Sequence, residues 1–361
     1  MISQLATLNL TAIREAYSLI QSKISKTPVY QAASLSRIVS KSIYPKGSSD
    51  TASGAPKINV FLKCENLQKA GSFKFRGASH FLAKQNDRAL RKGLVTYSTG
   101  NHAIALAQAA TFASAEKGFP IPLTILMPKT ANIGKINMIE RLGAIVTTHQ
   151  STMEDCAVRA EELRREAEMT LVPPSGHPYI VLGQGTAMLE FQQQIAGLGA
   201  KPLDVIIIPS AGGALLAGVA LVCKEASSPV DVFGAEPLYG GAALSRCRQE
   251  GHRVVASGPT TFTIADGLCS MVAKCNWEIL RSNTYVRDVF SASDDEIRAA
   301  MRLILEDAKQ VVEPSAAVPL AALMSNNHLR SYFTRRKDPL NVGIILSGGN
   351  ISVERLFKLL A

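Results

Sequence analysis

No two of the six cysteines (Cys64, Cys156, Cys223, Cys247, Cys269, Cys275) stand at CxxC spacing, and no set matches a zinc pattern. That speaks against a metal finger and predicts reduced thiols, as in an intracellular compartment. No apolar run reaches membrane-spanning length; Val205 to Ile208 suffices only for a buried strand. Met1 to Tyr17 lacks a basic segment followed by an apolar core and a small-residue cleavage site. The expected location is therefore cytoplasmic. Repeats and low-complexity tracts are missing too. The net charge is +10, but its carriers are scattered. Clusters such as Arg164-Arg165 and Arg335-Arg336-Lys337 are short and lack interleaved aromatics. No nucleic-acid groove is expected, and solvated helix faces account for the charge.

What is present is a 361-residue chain with 47% hydrophobic residues, enough for two domains or one domain with an inserted lobe. Residues 10–24 have the apolar spacing of an amphipathic helix, ended by Thr27-Pro28-Val29. Residues 41–57, rich in Ser, Gly, Pro and Lys, read as an exposed loop. Strands are expected at 59–63, 94–97, 123–127, 144–148, 204–209, 230–236 and 342–346. Helices are expected near 77–84, from Asn101 to about 115, at 133–142, 153–169, 183–195, after Ala214, and at 294–306. This alternation, with small-residue loops at strand ends, specifies an α/β architecture with parallel sheets, whose ligands bind beyond the carboxyl ends of strands.

Four of those loops carry candidate chemistry. In Gly71-Ser72-Phe73-Lys74-Phe75-Arg76-Gly77 a lysine sits between aromatics and glycines. Apolar neighbours disfavour an ammonium, so Lys74 is a candidate amine nucleophile able to form a Schiff base with a carbonyl compound. The alternative is a lysine whose stem covers apolar surface while its charge reaches water. Ser210-Ala211-Gly212-Gly213-Ala214 opens a helix and can cup a phosphate with its N–H groups, or can be a tight turn. Ser98-Thr99-Gly100-Asn101-His102 can hold a carboxylate or simply cap a helix. Ser347, before Gly348-Gly349-Asn350, sits where a buried strand would aim its hydroxyl inward.

Together with Gly183-Gln184-Gly185-Thr186, Ala235-Glu236-Pro237, Ala265-Asp266-Gly267 and Glu313-Pro314-Ser315-Ala316, these motifs resemble, in order and spacing, the serine/threonine dehydratase and serine racemase family. The resemblance covers about residues 11–356. It implies fold type II pyridoxal-phosphate enzymes, similar to the tryptophan synthase β chain, with two lobes of mostly parallel twisted sheet flanked by helices. By position it implies residues 1–91 and 176–361 as the large cofactor domain and 92–175 as the small substrate-side domain. Lys74 resembles the Schiff-base lysine, with Phe73 against the ring. Asn101 matches the partner of the phenolic oxygen, residues 210–214 the phosphate cup, and Ser347 the partner of the pyridine nitrogen. Ser98, Thr99, Gly100 and His102 fall in the carboxylate loop. The implied reaction is β-elimination of a hydroxy amino acid, with Lys74 as the base. Racemisation would use Thr99 on the opposite face. A specialised enzyme with a changed substrate, or a cofactor-binding protein without turnover, are further readings. The resemblance also implies a homodimer.

Three departures qualify it. Ala211 and Ala214 replace glycines of the cup, where a positive φ would cost about 1–2 kcal/mol. Glu236 stands at a divalent-cation position, but Ala242 replaces the aspartate six residues on, which argues against a metal. Asp155-Cys156-Ala157 and Pro173-Pro174-Ser175 replace polar runs expected in the pocket wall.

Overall fold

The computed structural model describes residues 7–44, 57–131, 133–241, 243–254, 263–336 and 338–361. Its strands, in chain order, are β1 (Val29–Gln31), β2 (Ile58–Lys63), β3 (Leu94–Tyr97), β4 (Leu123–Pro128), β5 (Ile145–Gln150), β6 (Thr170–Leu171), β7 (Val205–Pro209), β8 (Asp231–Pro237), β9 (Asp288–Ala292) and β10 (Leu340–Ile345). Six form one sheet in the order β1-β2-β10-β7-β8-β9, parallel except where β1 pairs with β2. The other four form a parallel sheet in the order β5-β4-β3-β6.

The apolar run of β7 sits at the heart of the larger sheet because it can fill two cores at once. Val205 and Ile207 enter one core, while Ile206 and Ile208 enter the other. A parallel sheet buried on both faces selects such continuous runs. One face is covered by helices Pro178–Gly197 and Ala214–Lys224, the other by Asp294–Ala308 and Pro314–Ser325.

Several expected boundaries move. The first helix runs Leu10–Ile20, stopping short of 24. The helix expected from Gly77 begins at Lys74 and ends at Ala83. Gly183-Gln184-Gly185-Thr186 does not open a helix; it lies buried inside Pro178–Gly197. Its glycines serve close packing, since a Cβ on Gly183 would stand 2.7 Å from Gly77 Cα on the lysine helix. The expected loop 41–57 is in part a helix, because Lys41–Ile43 end the helix Ala33–Ile43 and Tyr44 is buried. Residues 45–56 of that loop lie outside the described residues.

Loops leave the carboxyl ends of β2, β3, β7 and β10 at residues 64–73, 98–100, 210–213 and 346–350. All four candidate motifs sit there, where parallel sheets form their ligand crevice.

Candidate active site

The lysine loop is pinned to the loop after β10. Ser72 pairs with Gly348 in an isolated antiparallel bridge. Phe73 N donates to Ser347 O at 3.0 Å, and Gly349 N donates to Gly71 O at 2.9 Å. Gly71 takes φ +68° and faces Asn350, which leaves no room for a side chain. This backbone zipper starts the helix at Lys74 and brings Lys74 next to Ser347 in the chain's packing. Lys74 is half-buried as a residue because it faces the crevice, yet its amine lies among protein atoms. Nζ donates to Pro174 O at 2.7 Å and stands 5.4 Å from the centre of the Phe73 ring. Burial pulls its pKa down to about 8, against an opposing pull from the Glu313 carboxylate.

Pro174 ties the lysine to the cup. The next residue, Ser175, lies so close to Gly212 that a Cβ there would meet its Oγ at 2.1 Å. Buried Asn276 donates from Nδ2 to Ser175 O at 3.2 Å and to Gly212 O at 2.7 Å, bracing loop and cup together. Positive φ in the cup falls on Gly213 alone, at 86°. Ala211 and Ala214 keep ordinary backbone angles, so the expected alanine cost does not arise. Ala214 is simply the first residue of its helix. Among the described residues the N–H groups of Ala211, Gly212 and Gly213 have no acceptor, and the buried Oγ atoms of Ser210 and Ser72 have no partner. Orphaned donors at a helix N-terminus beside a buried amine fit a phosphorylated carbonyl cofactor.

On the small-sheet side, Ser98 Oγ accepts from Gly100 N at 3.3 Å, and a Cβ on Gly100 would meet nothing within 4 Å. Thr99 is half-buried between them. The ring of His102 faces the other way. Its Nε2 is 3.1 Å from both Val172 O and Thr96 Oγ1, deep against the small sheet. The carbonyl can only accept, so Nε2 carries the proton. Burial, followed by the charge of Lys74, pushes its pKa down to about 3. The imidazole is thus a neutral brace for the loop, so the carboxylate contact expected of His102 falls to its backbone N–H. Asn101, the first residue of helix Asn101–Lys117, donates from Nδ2 to Glu313 Oε1 at 2.6 Å.

Two other expectations change. Asp155 and Cys156 do not wall the pocket. Asp155 completes a capping box with Thr152 at the start of helix Met153–Glu166, and Cys156 is in the core. Glu236 is occupied as a helix cap. Its Oε1 accepts from Leu244 N at 2.8 Å and its Oε2 from Ser245 N at 3.0 Å, opening helix Ala243–Glu250. Ala242 lies outside the described residues, and among those described no group of three or more metal-ligating side chains occurs. Each carboxylate oxygen thus accepts one backbone hydrogen bond and serves the helix start.

Sequence reasoning gave Arg76 no role. Fully buried, it donates from Nε to Glu65 Oε2 and from Nη2 to Glu65 Oε1, both at 2.7 Å, and pairs with Glu190 at 3.1 Å. Lys63 completes the cluster by pairing with Glu190. These charges lock the lysine helix to β2 and to helix Pro178–Gly197. Asn276 and Glu313 likewise had no assigned role, because each acts through partners distant in sequence; Pro174, expected in the pocket wall, does lie against the lysine amine.

Known proteins resemble this arrangement over nearly its whole length. Serine racemase of Dictyostelium discoideum is 35% identical over 356 residues, covering 99% of this chain and 99% of that protein. L-threo-3-hydroxyaspartate ammonia-lyase of a Pseudomonas species is 34% identical over 319 residues, covering 88% of this chain and 92% of that protein. The structure of maize serine racemase matches with a TM-score of 0.84 at 32% identity, covering 98% of this chain and 96% of that one. Residues 20–348 match the family described as pyridoxal-phosphate dependent enzyme, and the chain belongs to that family, with its fold type II architecture.

Proposed function

We propose that this enzyme performs β-elimination on a hydroxy amino acid, such as serine, threonine or a 3-hydroxylated relative, releasing a 2-oxo acid and ammonia. The observation that carries this reading is the Lys74 amine: enclosed, with its pKa down to about 8, and linked through Pro174 and Ser175 to a cup of unpaired N–H groups. Lys74 would hold the cofactor, residues 210–214 its phosphate, Asn101 its phenolic oxygen, and Ser347 its ring nitrogen, with Phe73 along the ring. Pyridoxal phosphate, when bound, acts as an electron sink that acidifies the substrate's α-proton. Lys74 is the base that takes this proton, and a pKa near 8 lets it do so close to neutral pH. A serine hydroxyl at the ring nitrogen, unlike an aspartate, does not hold a full pyridinium. This moderate sink suits prompt loss of a β-hydroxyl. Ser98, Thr99, Gly100 and His102 would receive the substrate carboxylate, His102 through its backbone N–H.

Racemisation is the second reading, favoured by the Thr99 hydroxyl in the loop facing the crevice and by the serine racemases among the relatives. Assay of 2-oxo acid and enantiomer ratio with L- and D-serine and L- and D-threonine separates the two. Oxo acid supports elimination, and inversion without oxo acid supports racemisation. No turnover of any of them would sink both for these substrates. We further propose two domains, 1–91 with 176–361 and 92–175, and a cytoplasmic homodimer that needs no divalent cation.

A further inference from the structure

Asn101 is gripped on both sides by residues of the larger sheet's loops. Ala70 O can only accept, so Asn350 turns its Nδ2 toward it, at 2.9 Å. The same nitrogen donates to Asn101 Oδ1 at 2.7 Å. That bond fixes the Asn101 amide with its own nitrogen toward Glu313 Oε1, at 2.6 Å. One N–H of that nitrogen is consumed, and among the described residues the second has no acceptor and can serve a ligand.

Glu313 is suited to be the acceptor. It is the N-cap residue of helix Pro314–Ser325 but makes no side-chain cap bond, so its carboxylate remains available beside the positive end of the helix. Gly348 leaves it space, since a Cβ there would come within 2.5 Å of Oε1. Burial raises the Glu313 pKa to about 7; the Asn101 bond opposes this, Asp266 adds to it, and Lys135 and Arg355 oppose it. Lys74 feels the same carboxylate from across the crevice.

We propose that Glu313 is a positioning residue that holds the Asn101 amide with a free N–H toward the phenolic oxygen of the bound cofactor ring. The inference rests on the cofactor reading above. Because that N–H stabilises the anionic phenolic oxygen, the grip controls cofactor retention and the pH midpoint of the visible band. Two substitutions separate acceptance from charge. Glu313→Gln keeps an acceptor oxygen and loses the charge; Glu313→Ala loses both. Loss of one charge-assisted bond predicts that Glu313→Ala weakens pyridoxal phosphate retention about tenfold and moves the band's midpoint, while Glu313→Gln stays within about threefold of wild type.

The test is titration of the cofactor-depleted full chain with pyridoxal phosphate, followed by absorbance and fluorescence across pH. Normal retention and an unmoved band in Glu313→Ala would overturn the proposal, as would Glu313→Gln being as impaired as Glu313→Ala. If Glu313→Ala does not fold, Asn350→Ala removes the opposite grip and must displace the band; an unmoved band overturns the proposal equally. Wild-type protein that takes up no cofactor would instead defeat the cofactor reading, and this inference with it.

Discussion

Lys74 and Arg76 lie two residues apart on one helix, and the fold treats their charges in opposite ways. Arg76 is met by two carboxylates, each of which accepts two of its hydrogen bonds. Burial alone would disfavour its charge, but Glu65 and Glu190 outweigh burial and raise its pKa. Lys74 has a single carbonyl as its hydrogen-bond partner and feels one carboxylate only from a distance, so burial wins. The lesson is that one turn of helix can carry a permanent cation that anchors it and an amine that titrates near neutrality. A satisfied buried charge rigidifies, and an unsatisfied one is a candidate for chemistry.

The strongest way to break this comparison is Arg76→Ala. It leaves the buried Glu65 and Glu190 carboxylates with Lys63 as their one shared cation, and removing one partner of a buried pair costs about 3–5 kcal/mol. Urea unfolding of the cofactor-free protein checks it; a loss under about 1 kcal/mol would place the cluster with weak surface pairs. Lys74→Met should act in the reverse sense, stabilising the cofactor-free chain on the order of 1 kcal/mol at pH 7 by removing a poorly matched amine. A destabilised Lys74→Met protein would mean that the Pro174 bond outweighs desolvation.

The pH dependence sharpens the contrast. The folded-state pKa of Lys74 lies below its ordinary 10.5, so its stabilising contribution is present above 10.5 and lost as pH falls through about 8. Glu313 has its pKa raised from 4.5 to about 7, so its contribution is present below 4.5 and lost as pH rises through about 7. Both groups therefore weigh on the cofactor-free protein at pH 7 to 8; mutating Glu313 should flatten its stability curve between about 4.5 and 7, and mutating Lys74 between about 8 and 10.5. The neutral fraction of an amine with pKa about 8 rises about tenfold from pH 7 to 9. Stopped-flow capture of pyridoxal phosphate should accelerate by the same factor, and a flat profile would contradict a titrating Lys74. The smallest expected effect is that of Mg²⁺. With both Glu236 oxygens capping a helix, millimolar Mg²⁺ should leave melting temperature and activity nearly unchanged. A saturable rise in either would show that a cation site survives despite Ala242.

Much of this frame was legible in the chain. The run of β7 reads as a doubly covered strand because its residues are apolar on both faces. The candidate loops were readable because glycine and serine follow strand ends. The helix Ala33–Ile43 was hidden because Ser36 and Ser40 break its apolar stripe; inside, they accept hydrogen bonds from Val60 N and Ile58 N, which only the folded sheet supplies. Glu313 stood in a quoted motif without a role because its partner is 212 positions away. Gly183 to Thr186 looked like the opening of a helix and not its interior, since the reason for its glycines is a helix crossing that no local pattern encodes. Local rules thus found the crevice, and long-range pairing decided what each side chain does there.

The central claim is that the Lys74 amine carries the cofactor. The most direct measurement is borohydride reduction of the protein loaded with pyridoxal phosphate, followed by digestion and mass spectrometry. The account predicts one phosphopyridoxyl group, on the peptide bearing Lys74, and none on Lys63 or Lys69. Label on another lysine, or no stable label after saturation, would contradict it.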